Sequence, residues 1–191
     1  MTSYPELYVL RHGETEWNAQ GRFQGAYNSP LNALGRKQAA RQAEILAGID
    51  LRNFRIFSSP QGRAVETAAI ALSRQVEEVH TDPRLREIGM GDWAGRMKSD
   101  LAAQGLIDLG TADSLDFYED APQGEGFEAL ETRCMGFLSS LTGPSVLVTH
   151  GITSRMIRAV ATGKGRANLA NMGGGQGVIY HVLNTVQKRL D

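Results

Sequence analysis

The sequence predicts an α/β fold, a three-layer α/β/α sandwich around a mostly parallel central sheet. Short apolar runs alternate with helical patterns, the arrangement of strands joined by crossover helices rather than of a bundle or an all-β sandwich. The 191 residues suffice for one domain, 1–191, with a substantial core. A stretch at about 96–125 breaks the rhythm and is expected to be a small cap or lid inserted into that domain, because long irregular segments in compact domains are usually functional.

Leu7–Leu10 is wholly apolar and reads as a strand buried on both faces. Asn32 can cap a helix over Ala33–Ala47, with Leu34, Ala39, Ala43 and Leu46 near one face and Gly48 as its stop. Arg55–Ser58 is a second strand, and Ser59-Pro60 supplies a cap and first-turn proline for a helix reaching about Arg74. A strand at Glu78–Thr81 and a short helical piece at Met97–Gln104 follow. Gly124-Glu125-Gly126 precedes a helix over Phe127–Leu141, where glycine can cap at small cost. Ser145–Thr149 is a strand, Ile152–Thr162 a helix and Gly177–Leu183 the last strand. Gly173-Gly174-Gly175-Gln176-Gly177 has neither the lysine nor the spacing of a P-loop and reads as a flexible connector. Leu169 and Met172 suit either the core or a partner, so the oligomeric state stays open.

Composition narrows the function. Lys and Arg number 20 against 21 Asp and Glu, a formal net charge of −1. No global field favours nucleic acid or an anionic membrane, neither is expected as a partner, and any anion site must be local. No window approaches the roughly 18 apolar residues of a membrane span, and the first residues lack a secretory pattern, so a cytoplasmic protein is expected. Cys134 is the single cysteine, which excludes an intrachain disulfide and suits a small buried apolar side chain. With no His-x-x-x-His, paired cysteines or dinucleotide fingerprint, no metal and no cofactor is expected.

Four segments carry candidate chemistry. Arg11-His12-Gly13-Glu14-Thr15 follows the first strand, so Arg11 and His12 stand at a carboxyl end, where open α/β sheets bind ligands. Leu-Tyr-Val-Leu-Arg-His-Gly is echoed by Val-Leu-Val-Thr-His-Gly, so His12 and His150 meet at one crevice if their strands are parallel neighbours. His80 and His181 lie within strand-like runs and look structural. Arg63 lies in the first turn of the helix after the second strand, and its planar fork suits phosphate oxygens. Glu87, in Leu85-Arg86-Glu87-Ile88-Gly89, is a carboxylate beyond a strand that can move a proton to and from a leaving oxygen.

Together Arg11-His12-Gly13-Glu14-Thr15, Trp17-Asn18, Phe23-Gln24-Gly25, Pro30-Leu31, Leu34-Gly35, Ser58-Ser59-Pro60, Arg63-Ala64, Glu66-Thr67, Leu85, Glu87 and Val148-Thr149-His150-Gly151 resemble the histidine phosphatase superfamily, in its phosphoglycerate mutase-like branch. The resemblance implies a metal-independent phosphomonoester hydrolase with a phosphohistidine intermediate, acting on a small phosphorylated metabolite. His12 is then the nucleophile, Arg11, Arg63 and His150 its electrostatic pocket with two guanidiniums and an imidazolium, and Glu87 the proton donor. Asn18, Gln24, Gly25 and Gly151 match positions that contact phosphate or substrate.

Phosphoglycerate mutases resemble this pattern but carry a longer basic insertion after the glutamate. Here residues 96–125 hold only Arg96 and Lys98 against Asp100, Asp108, Asp113, Asp116, Glu119, Asp120 and Glu125. A cap of that sign is expected to repel a second anionic group, favouring hydrolysis of a phosphomonoester whose remainder is not strongly anionic. A phosphoglycerate mutase-type phosphotransferase, an α-ribazole phosphatase and a silent phosphate-binding module are the competing readings.

Overall fold

The computed structural model describes residues 4–109 and 115–191. Six strands, β1 Leu7–Arg11, β2 Arg55–Ser58, β3 His80–Thr81, β4 Ser145–Thr149, β5 Ile179–Leu183 and β6 Val186–Leu190, form one sheet in the order β3-β2-β4-β1-β5-β6. β3, β2, β4 and β1 run parallel, and β5 pairs antiparallel with both β1 and β6. The sheet is therefore mostly parallel, as the alternation of strands and helices predicts.

Its two faces are both covered, which is why the central strands are apolar at successive positions. Leu7, Val9, Phe57, Leu147 and Val182 pack on α6 (Gly126–Ser139) and α7 (Gly151–Ala161) through Leu130, Cys134, Phe137, Ile152 and Met156. Tyr8, Leu10, Ile56, Val146 and Val148 pack on α2 (Ala33–Leu46) and α3 (Gly62–Leu72) through Leu46, Ala64, Ala68 and Leu72. Each such side chain removed from water contributes about 1.5–3 kcal/mol. Cys134, Leu169 and Met172 all lie in the core. Burial pushes the Cys134 thiol up to about 12, so it behaves as an apolar filler. Among the described residues no helix is long and apolar enough to cross a membrane.

Several local expectations shift. Asn32 does cap α2, its Oδ1 accepting from Gly35 N at 2.8 Å, but Leu34 is half exposed. The buried stripe is Gly35, Ala39, Gln42 and Leu46, because backbone contact sets the seam: a Cβ at Gly13 would lie 2.2 Å from Gly35 O, and one at Gly35 2.0 Å from Glu14 O. α3 begins at Gly62 with Gln61 as its cap residue, not at Ser59, whose hydroxyl accepts from Gln61 N at 3.2 Å and also meets His150 Nε2 at 2.8 Å. Gly126 is the first residue of α6 rather than its cap, and the Glu119 carboxylate accepts from Phe127 N. β3 keeps only two residues of Glu78–Thr81. β6 was not anticipated; it is joined to β5 by Asn184 and Thr185, both at positive φ, in the two-residue hairpin geometry that matches strand twist.

In the stretch at 96–125, the described residues form α4 (Lys98–Ala103) and α5 (Asp116–Glu119). Just after His12, α1 (Glu16–Ala19) is closed by a reciprocal capping box between Thr15 and Asn18.

Candidate active site

Parallel pairing of β1 with β4 places Arg11 opposite Thr149, so His12 and His150 leave the sheet side by side. His12 N donates to Thr149 O at 2.9 Å, and the two imidazole centroids are 5.1 Å apart, edge to face. His12 Nδ1 lies 2.7 Å from Gly13 O. A carbonyl only accepts, so Nδ1 carries the hydrogen and Nε2 keeps its lone pair. Burial, then the charges of Arg11 and Arg63, hold His12 well below the ordinary imidazole value. It is a neutral imidazole at neutral pH, with its Nε2 lone pair free of the backbone contact.

His150 has a different role from the one expected. Arg63 Nε donates to its Nδ1 at 3.2 Å, and its Nε2 then donates to Ser59 Oγ at 2.8 Å. Burial, with Arg63 the largest of the neighbouring charges, holds this imidazole well below its ordinary value too, so it is neutral rather than an imidazolium. It stands behind Arg63 and does not border the central cavity. Arg63 is almost wholly buried and is further held by Tyr27 O at 2.7 Å and Gly25 O at 3.2 Å. Burial pushes its guanidinium down to about 10, partly offset by Glu87 and reinforced by Arg11, which leaves it charged at neutral pH.

Glu87 sits at the N-terminus of α7. Its carboxylate accepts from Ile152 N at 3.3 Å, Thr153 N at 3.1 Å and Thr153 Oγ1 at 3.2 Å. Gln61, overlooked in the sequence, ties this arm to the opposite wall: Nε2 donates to Gly25 O at 2.8 Å and Oε1 accepts from Glu87 N at 2.9 Å. Gly151 lies between the two arms, since a Cβ there would fall 3.4 Å from Arg11 Nε and 3.5 Å from Glu87 Oε2. Arg11 Nε is buried with no hydrogen-bond partner among the described residues.

A cavity of about 310 Å³ gathers His12, Arg11, Arg63, Glu87, Asn18, Gln24, Gly25 and Gly151. Every predicted site residue except His150 thus borders it. His80 and His181 do not: His80 pairs with Glu78 at 3.5 Å, and His181 bonds Glu6 at 2.7 Å while stacking on Tyr8.

The cavity also holds Arg22, Lys98, Arg155, Phe117, Tyr118 and Gly174, which the sequence did not single out as site residues. Among the described residues, the stretch at 96–125 thus turns a cation rather than an acid to the cavity. None of Asp100, Asp108, Asp116, Glu119, Asp120 and Glu125 borders the cavity, and Asp113 lies outside the described residues. Glu125 pairs with Arg133 at 2.7 Å, Glu119 caps α6, and Asp108, Asp116 and Asp120 border a separate surface hollow. Lys98 instead turns inward, its ammonium 5.0 Å from the Phe23 ring centroid and 5.2 Å from that of Phe117. Burial and then Arg11 lower its pKa. Among the described lining residues, Arg11, Arg22, Arg63 and Lys98 share the cavity with a single carboxylate, Glu87. Counting charges along the chain could not show that the described acids lie off the cavity. The cavity is built for more negative charge than one carboxylate supplies.

Residues 7–188 match the family model of the histidine phosphatase superfamily, branch 1. The "Probable phosphoglycerate mutase GpmB" of Proteus mirabilis is 40% identical over 158 residues, spanning 77% of this chain and 70% of that protein. A mycobacterial glucosyl-3-phosphoglycerate phosphatase solved with VO3 superposes with a TM-score of 0.77 at 30% identity, covering 98% of this chain and 97% of that one. The alpha-ribazole phosphatase of Shigella flexneri superposes with a TM-score of 0.80 at 26% identity, covering 97% and 94%.

Proposed function

Because this chain belongs to the histidine phosphatase superfamily, we propose that it hydrolyses phosphomonoesters through a covalent intermediate on His12. One observation carries the reading: a neutral His12, its Nδ1 fixed by Gly13 O, borders a cavity shared with Arg11 and Arg63. In the first step His12 Nε2 forms a bond to phosphorus while the ester oxygen departs, taking a proton from Glu87. In the second, water attacks the phosphohistidine, Glu87 takes back a proton, and phosphate and free His12 result. Arg11 and Arg63 hold the transferred oxygens, and His150 fixes Arg63 from behind. Phosphoryl transfer asks for alignment and charge stabilisation, which these groups supply.

The cationic lining supports a narrower substrate class: a phosphomonoester bearing a second anionic group, held by Arg22 and Lys98. The relatives named for phosphoglycerate and glucosyl-3-phosphoglycerate fit this class. The partner is then a small metabolite, and we assign the enzyme to the cytoplasm, in keeping with Cys134 as a buried free thiol. The test is phosphate release from p-nitrophenyl phosphate, 3-phosphoglycerate and other phosphomonoesters with EDTA present, for wild type and His12→Ala. Release that survives His12→Ala would falsify the covalent route. The GpmB relative favours a second reading, transfer to an acceptor other than water, which would yield isomerised product without free phosphate.

A further inference from the structure

We propose that Gln176 is a positioning residue for the phosphate-facing amide of Asn18, carried on a glycine loop that Arg158 fixes from beneath; this rests on the reading of the His12 pocket as a phosphate site. Gly173-Gly174-Gly175-Gln176-Gly177 is not the free connector that its composition predicts. Gly174 borders the His12 cavity. Two residues on, Gln176 Nε2 donates to Asn18 Oδ1 at 3.3 Å, and Thr15 N donates to the same oxygen at 3.2 Å. With both lone pairs of that oxygen engaged, the NH2 end of Asn18 is the one left for a ligand, and a donor is what phosphate oxygens need. With only the Thr15 bond, the amide can turn its carbonyl toward the phosphate site, setting acceptor against acceptor.

The loop has reason to hold its shape. Gly173, Gly175 and Gly177 all lie at positive φ, so the path is reserved for residues without a Cβ. Beneath it, Arg158 is 1% exposed and divides its donors between the base of this segment, its own helix and β6. Its guanidinium donates to Gly173 O at 2.9 Å, to Gln187 Oε1 at 2.7 Å, to Ser154 O at 3.1 Å and to Met172 O. It also stacks 3.7 Å from the Tyr180 ring centroid, while the Tyr180 hydroxyl donates to Gly174 O at 2.7 Å. A buried cation is tolerated when its hydrogens are satisfied, and here the satisfying acceptors include the base of the loop.

The experiment is a double-mutant cycle between Asn18→Ala and Gln176→Ala, read as kcat/KM for p-nitrophenyl phosphate and as the Kd of orthovanadate. Gln176→Ala should lower kcat/KM and weaken vanadate binding by about 5–10-fold, the scale of one misdirected hydrogen bond. Added to Asn18→Ala it should cost nothing further, because it acts through Asn18. The near-isosteric Gln176→Glu keeps the size of the side chain but loses the donor, and should be at least as damaging, with an unchanged melting temperature. Full activity in either Gln176 variant, or additive losses in the double variant, would overturn the proposal. If wild type binds vanadate but releases no phosphate from any ester, the hydrolase reading fails while the vanadate cycle still decides the role of Gln176. A wild type that binds no vanadate overturns both.

Discussion

Arg63 donates its Nε hydrogen to Nδ1 of His150 at 3.2 Å, which separates the work of the two strand-end imidazoles. His12 borders the cavity; His150 holds the cation from behind. His150→Ala should therefore lower kcat by roughly 10–100-fold, the equivalent of one charge-assisted hydrogen bond of about 1.5–3 kcal/mol. Steady-state kinetics check this, and a KM that rises while kcat holds would count against it.

Acid should destabilise the protein beginning near pH 6.5. His12 and His150 are both held neutral, well below the ordinary value. As pH falls through about 6.5 the unfolded chain binds a proton on each while the folded chain does not, so unfolding is favoured on the acid side and stability recovers above it. The slope should approach about 1.4 kcal/mol per pH unit for each histidine. Urea titrations between pH 5.5 and 7.5 measure it, and His12→Asn should remove its share.

Glu87→Gln should discriminate between leaving groups. A glutamine cannot protonate the departing oxygen, so an alkyl phosphate should lose about 10²–10⁴-fold in kcat/KM. p-Nitrophenyl phosphate, whose leaving group departs without a proton, should lose far less in the first step. Equal losses for both esters would remove Glu87 from the role of acid.

Lys98→Met keeps an unbranched side chain of similar length beside Phe23 and Phe117 and removes the charge that lies over their rings. For 3-phosphoglycerate KM should rise by about tenfold, the scale of a charged contact. For p-nitrophenyl phosphate, which has no second anion, KM should stay within about threefold. A matched change for the two substrates would detach Lys98 from substrate selection.

What the sequence revealed and what it hid have physical causes. β1 and β4 are legible because strands buried on both faces carry unbroken apolar runs, Leu7–Leu10 and Val146–Val148, so the polar residues that close those runs, Arg11, His12 and His150 among them, stand out. β6 is hidden because it is an edge strand, Val-Gln-Lys-Arg-Leu, mostly facing solvent, and its turn reaches positive φ without a glycine. Ser59 looks like a helix cap because local pattern cannot foresee a hydrogen bond to a histidine 91 residues away. Likewise Lys98 sits among acids in sequence and among cations in space. Gln61 and Gln176 carried no signal at all, since a glutamine that braces another residue looks like any surface amide.

The Gly13–Gly35 contact bears on how this protein can vary. With a Cβ at either position falling 2.0–2.2 Å from the opposing backbone, neither site admits even alanine unless the chain moves. A saturation screen for activity should mark both positions as intolerant although neither carries a functional group. The turn that presents His12 rests against the start of α2 with no side chain between them. Main chain braced on main chain fixes the position of the His12 backbone without recruiting any side chain to do so.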